Sequence, residues 1–119
     1  MRRPRIISAK THGILDYATS ATVAAVPYVF DFPTPAKRLA TALAAGYTGL
    51  SAVTDYPLSA KRVVPFKAHG AIELGLAAML PAAPWALGFE KHRGARAFCF
   101  GLAALTVAVS LLTDWDDDD

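Results

Sequence analysis

Cysteine is almost missing from this chain: Cys99 stands alone, so no internal disulfide can form and no paired-cysteine zinc or redox motif is present. Charge is scarce as well. Asp, Glu, Lys and Arg make up 18% of the 119 residues against 54% apolar ones, and the net charge is only +2. With its cations divided among separate segments, such a chain is not a nucleic-acid binder. Neither a phosphate-cradling glycine loop nor a nucleophile elbow occurs. The expectation is therefore a protein without catalytic activity of its own and without a required cofactor.

The scarcity of charge is concentrated in four runs free of Asp, Glu, Lys and Arg: residues 17–30, 39–54, 74–89 and 97–113. Each falls a few residues short of the roughly 20 that a helix needs to cross a bilayer core. Each must therefore borrow a turn from its flanks, with lysine and arginine reaching back to water. A soluble four-helix bundle would show a polar face at a 3.6-residue period, and none of the runs does. In Phe98 to Leu112 the polar groups are Thr106 and Ser110, both able to return their hydroxyls to the helix backbone. Cys99 reads as a small core residue. The opening "MRRPRIISAK" resembles the basic region of a signal peptide, but the apolar segment after it carries Thr19, Ser20, Thr22 and Pro27 and recurs later. It is expected to stay in the mature protein.

What is present is a phrase written twice. "AKTHGILDY" (Ala9 to Tyr17) returns as "FKAHGAIEL" (Phe66 to Leu74), offset by the 57 residues that separate His12 from His69. The same offset aligns Arg5-Ile6-Ile7 with Arg62-Val63-Val64, Lys10 with Lys67, Asp16 with Glu73, Pro27 with Pro84, Tyr28 with Trp85 and Phe32 with Phe89. After two inserted residues, Ser51 falls on Ser110 and Thr54-Asp55-Tyr56 on Thr113-Asp114-Trp115. We read a single domain, residues 1–119, built by duplication of a helical hairpin: repeat 1 over about 5–56, repeat 2 over about 62–115, then an acidic tail, 116–119. Pro35 suits the opening of a second helix and Pro57 its close, while Pro27, Pro81 and Pro84 kink or end the first arms. Two spans per repeat give both copies the same direction, as in parallel repeats about an axis along the membrane normal. Small residues four apart, such as Ala42 with Gly46 and Ala97 with Gly101, favour close helix packing.

The Pro-Trp phrase of "AAPWALGF" (Ala82 to Phe89) resembles the SPW-repeat family of small bacterial membrane proteins, whose two-span repeats carry a Ser-Pro-Trp signature and a Gly-Phe-like ending. Ala83 stands in place of the signature serine, and the first copy reads Val26-Pro27-Tyr28. The repeat signature here is thus Pro27 with Tyr28 and Pro84 with Trp85. The resemblance implies a fold and a membrane location. It implies no activity.

The duplicated phrase collects a polar cluster on one side: Lys10, His12, Asp16, Asp55, Lys67, His69, Glu73 and Asp114. His12 and Asp16 stand one helical turn apart, as do His69 and Glu73, so each pair can share a face. The helix dipole favours Asp16 and Glu73 near helix starts and opposes Asp55 and Asp114 at helix ends. The latter are expected to find cations, with Lys10, Lys67 and the histidines as nearest candidates, and so to tie the hairpin ends together. The alternative starts from the cost of ionisable groups at membrane depth. Two His-acid pairs are suited to a divalent metal, to haem through His12 and His69 as axial ligands, or to proton or ion translocation. Trp85, Trp115, Tyr28 and Tyr56 fall near span ends and read as an interfacial aromatic belt. Gly13 and Gly70 read as places of close backbone approach.

Together these features predict an all-α fold, a four-transmembrane-helix bundle of two tandem hairpin repeats with parallel topology, multi-pass in the cell membrane. Its expected role is structural or interactive, with the lipid bilayer and either a further copy or another membrane protein as partners. The side bearing the termini holds more Lys and Arg (Arg2, Arg3, Arg5, Lys10, Lys61, Arg62, Lys67) than the other (Lys37, Arg38, Lys91, Arg93, Arg96). The positive-inside rule places both termini in the cytoplasm.

Overall fold

The computed structural model describes residues 5–116. Arg2, Arg3 and the acidic tail after Asp116, which entered the orientation and tail expectations, lie outside the described residues.

The described chain is all helical, without named strands. Its elements are α1 (Ala9–Val29), α2 (Thr34–Ala52), α3 (Phe66–Met79), a 3-10 turn (Leu80–Ala82), the single-turn α4 (Ala83–Ala86) and α5 (Arg93–Leu112). Local chemistry sets their ends. Ser8 caps α1 by accepting the Thr11 amide at 3.2 Å, a contact worth about 1 kcal/mol. Pro35 sits in the first turn of α2, where its missing N–H costs nothing. The third arm is broken after Met79 because Pro81 and Pro84 cannot donate to the preceding turn. After α1 and α4 the chain turns through left-handed residues at corresponding places, Asp31 (φ 49°) and Gly88 (φ 79°).

The helices form two hairpins, α1 along α2 and α3 along α5. The central core between them is made largely of small or thin side chains: Val23, Ala40, Ala44, Tyr47, Ala77, Leu80, Leu102 and Ala103. A second cluster, Phe32, Ala36, Phe89, Ala95 and Cys99, closes one end. At the other end the connections cross between hairpins. Ile7 pairs with Thr113, and Val64 pairs with Thr54 in the corresponding place. The hydrogen bonds match too: Asp114 N to Ile7 O at 2.8 Å and Asp55 N to Val64 O at 2.7 Å.

The outside of the bundle is unusually apolar. Ile14, Val29, Phe30, Ile72, Leu74, Met79, Leu87, Phe100, Leu105, Val107 and Leu111 are all exposed. Among the described residues one helix, α5, is long and apolar enough to cross a membrane, and 28% of its most apolar window is buried.

Candidate metal centre

The buried charge sits between the hairpins at the end where Ile7, Thr54, Val64 and Thr113 meet. His12 and Asp16 project from the first turns of α1, His69 and Glu73 from those of α3. All four reach one point: their ligand-type atoms lie within 4.8 Å of one another. His12 is 2% exposed, His69 1% and Asp16 8%, and Glu73 is largely buried. The spacing of one helical turn pairs each histidine with the acid on its own helix, His12 Nε2 to Asp16 Oδ2 at 3.3 Å and His69 Nε2 to Glu73 Oε1 at 2.5 Å. The shortest links between helices are His12 Nε2 to Glu73 Oε1 at 3.0 Å and His69 Nε2 to Asp16 Oδ2 at 2.7 Å. The result is a closed four-membered ring of groups shared by the two hairpins.

The other ring nitrogens explain the orientation. His69 Nδ1 lies 2.7 Å from Thr54 Oγ1, and His12 Nδ1 lies 2.9 Å from Thr113 Oγ1. Each threonine spends its one hydroxyl proton on its own helix, Thr54 on Leu50 O at 2.5 Å and Thr113 on Val109 O at 2.6 Å. Both hydroxyl oxygens must therefore accept, and both Nδ1 atoms must carry hydrogen. That leaves the two Nε2 atoms facing the carboxylates. An outer partner on Nδ1 is the usual way a metal-binding imidazole is fixed in tautomer and direction.

Charge balance sharpens the picture. Two buried carboxylates need two positive charges nearby, since an uncompensated buried ion costs several kcal/mol. Among the described basic side chains of this end, Arg62 pairs with Asp55 at 3.5 Å, Arg5 with Asp114 at 3.9 Å and Asp116 at 3.1 Å, and Lys67 with Asp116 at 2.9 Å, while Lys10 and Lys61 are exposed on the surface. The Lys67 contact holds the Asp116 carboxyl below the usual carboxylate range. The balance must come from inside the ring, either as protons on both histidines or as one divalent cation. His69 distinguishes the two. Its Nε2 touches two carboxylate oxygens, yet neither lies along the direction of an N–H bond, and the atom has no hydrogen-bond partner among the described residues.

Four N and O ligands at metal bonds of about 2.0–2.1 Å would stand about 3.4 Å apart around a tetrahedron. The His–carboxylate distances of 2.5–3.3 Å need to open by less than about 1 Å to reach it. Haem does not fit. The two imidazoles meet edge to face at 5.5 Å, the carboxylates fill the space between their Nε2 atoms, and the adjoining cavity is only about 30 Å³.

Of the residues singled out in the sequence, His12, Asp16, His69 and Glu73 are brought together and the others are not. Lys10 and Lys67 are exposed on the outer faces of α1 and α3. Asp55 and Asp114 pair with Arg62 and Arg5 rather than with lysine or histidine, because the chain leaves the helix at Thr54 and Thr113 and turns these acids toward the basic residues of the crossing segments. Pro27 and Pro84 are buried at the far end, where Tyr28 and Trp85 are exposed. Tyr56 and Trp115 are not belt residues. Tyr56 is buried and Trp115 stacks edge-on to His12 with centroids 5.0 Å apart. They lie against the glycines that follow the histidines: a Cβ on Gly13 would stand 2.9 Å from Tyr56, and one on Gly70 2.5 Å from Trp115. The close approach those glycines permit is therefore to an aromatic ring. Ser51 points its hydroxyl at Asp16 Oδ2 from 3.5 Å.

Thr54 and Thr113 join the site although the sequence reading does not name them; the alignment of the two Thr-Asp-aromatic phrases is the signal that points to them. Comparison of the chain with protein-family models, with curated proteins and with solved structures finds no match in any of the three.

Proposed function

We propose that this protein is a small membrane-embedded helical bundle that binds one divalent first-row transition metal between its hairpins, through His12, Asp16, His69 and Glu73. The observation that carries the reading is His69 Nε2, wedged against two carboxylate oxygens without a hydrogen-bond direction to either. A proton there has no acceptor in line, whereas a cation between the three atoms satisfies all of them. Mixed imidazole and carboxylate ligands suit zinc, iron or manganese. On this reading the metal joins the two hairpins, and the role is binding and structural rather than catalytic.

Membrane placement is part of the proposal. It is supported by α5, by the apolar side chains turned outward along the other helices, and by a ring of charge kept away from that surface. An SPW-like layout of two-arm repeats is part of the proposal, and the excess of Lys and Arg that the sequence places on the side of the termini favours the cytoplasm for that side.

A second reading has its own observation. His12 Nε2 and Glu73 Oε1 form a well-directed hydrogen bond at 3.0 Å, as they would if both histidines carried two protons and the ring were a purely ionic clasp. Elemental analysis and the absorption spectrum of cobalt-incubated, detergent-purified protein separate the two. One cobalt per chain, lost in the His12→Ala, His69→Ala double variant, is expected. A wild type that takes up no more cobalt than the variant would leave the ionic clasp.

A further inference from the structure

Three of the four ring residues, His12, Asp16 and Glu73, also line the cavity of about 30 Å³ beside the site. It offers room for one or two water-sized groups. Tyr47 of α2 forms part of its wall. That side chain is 6% exposed, and its hydroxyl is buried with no hydrogen-bond partner among the described residues. The hydroxyl lies within electrostatic reach of both Glu73 and Asp16. An orphan buried phenol costs about 1–3 kcal/mol, so its retention in the wall calls for a guest.

The cavity has an apolar approach. Leu15, Thr19 and Leu105 line it and also line a groove of about 730 Å³ that follows α1 and α5 toward Phe30 and Phe32. A molecule coming by this route must cross apolar surroundings. The charge of the site points the same way: Asp16 and Glu73 already neutralise a divalent ion, so an added anion would leave a net charge buried.

We propose that the metal keeps one coordination position open toward Tyr47, and that this position takes a small uncharged ligand of one to three non-hydrogen atoms bearing a lone pair. Tyr47 Oη donates to that ligand, and the α1–α5 groove delivers it. Tyr47 is a positioning residue here, acting on what the metal binds and not on whether the metal is bound. The inference rests on the metal reading given above.

The test uses the purified protein in detergent, loaded anaerobically with ferrous iron and exposed to nitric oxide as the probe. Iron per chain is measured separately, so a failure of the metal assignment shows before any ligand is added. The wild type is expected to give the paramagnetic resonance signal of an iron nitrosyl. Tyr47→Phe should hold the same iron and release nitric oxide roughly threefold to tenfold faster, the loss of one hydrogen bond. Thr19→Trp, which fills the wall shared by cavity and groove, should hold iron and give no nitrosyl. An iron-loaded wild type that binds no nitric oxide overturns the proposal, as do Phe and Trp variants that both bind it like the wild type.

Discussion

At one end of the bundle His12 and His69 are buried, give their Nδ1 protons to Thr113 and Thr54, and turn Nε2 toward Asp16 and Glu73. At the other end His92 precedes α5 and accepts the Ala95 amide on Nδ1 at 3.0 Å. Its proton therefore belongs on Nε2, the reverse tautomer. It packs edge-on to Phe32 with centroids 5.3 Å apart. The acid beside that end, Asp31, is held by Lys37 at 2.8 Å, which keeps its carboxyl below the usual range. One residue type thus serves as a helix cap at one end and as half of a buried histidine–carboxylate ring at the other. The deciding partner is not the carboxylate alone but the group on the second ring nitrogen, a backbone amide in one case and an accepting threonine in the other.

The comparison breaks most completely if the carboxylates are neutralised. Asp16→Asn with Glu73→Gln should abolish metal uptake, measured as metal per chain after equilibrium dialysis. A double variant that still fills to one per chain would remove these acids from the ligand set. Thr54→Val or Thr113→Val should have a smaller effect, because the ligands remain but their orientation loosens. Loss of such an outer partner costs about 10–100-fold in metal affinity, and Thr→Ser at the same position should recover most of it. Equal affinity for the Val and Thr forms would show that the hydroxyls do not set the tautomer. The far end gives the smallest effect. His92→Ala should lower stability in detergent by about 1 kcal/mol, the value of a helix cap, with metal affinity unchanged. A metal defect in that variant would mean that the two ends do not act separately.

Much of this arrangement was legible in the sequence, for reasons that particular residues make clear. The repeated Lys-His-Gly-acid phrase marked where each hairpin begins, and the one-turn spacing of His12 with Asp16 and of His69 with Glu73 placed each pair on a common face. Periodicity cannot show which groups meet across hairpins. The contact of His12 with Thr113 spans 101 positions, and depends on the crossing of the chain at Ile7 and Val64. The same holds for Asp55 and Asp114: next to a helix end they look available to the histidines, but the backbone bonds of Asp55 to Val64 and of Asp114 to Ile7 carry their side chains outward to Arg62 and Arg5. Tyr56 and Trp115 had the right position along the chain for an interfacial belt. What draws them inward is the missing side chain at Gly13 and Gly70, a feature visible in the sequence only once the partner ring is known.

The central claim is that two imidazoles and two carboxylates share one metal. X-ray absorption spectroscopy of the zinc-loaded protein in detergent tests it directly. The account predicts a first shell of nitrogen and oxygen at about 2.0–2.1 Å with the outer-shell scattering of two histidine rings, reduced to one ring in His69→Ala if any zinc is retained. A sulfur shell at about 2.3 Å, which would implicate Cys99, or an oxygen-only shell without imidazole scattering, would contradict it.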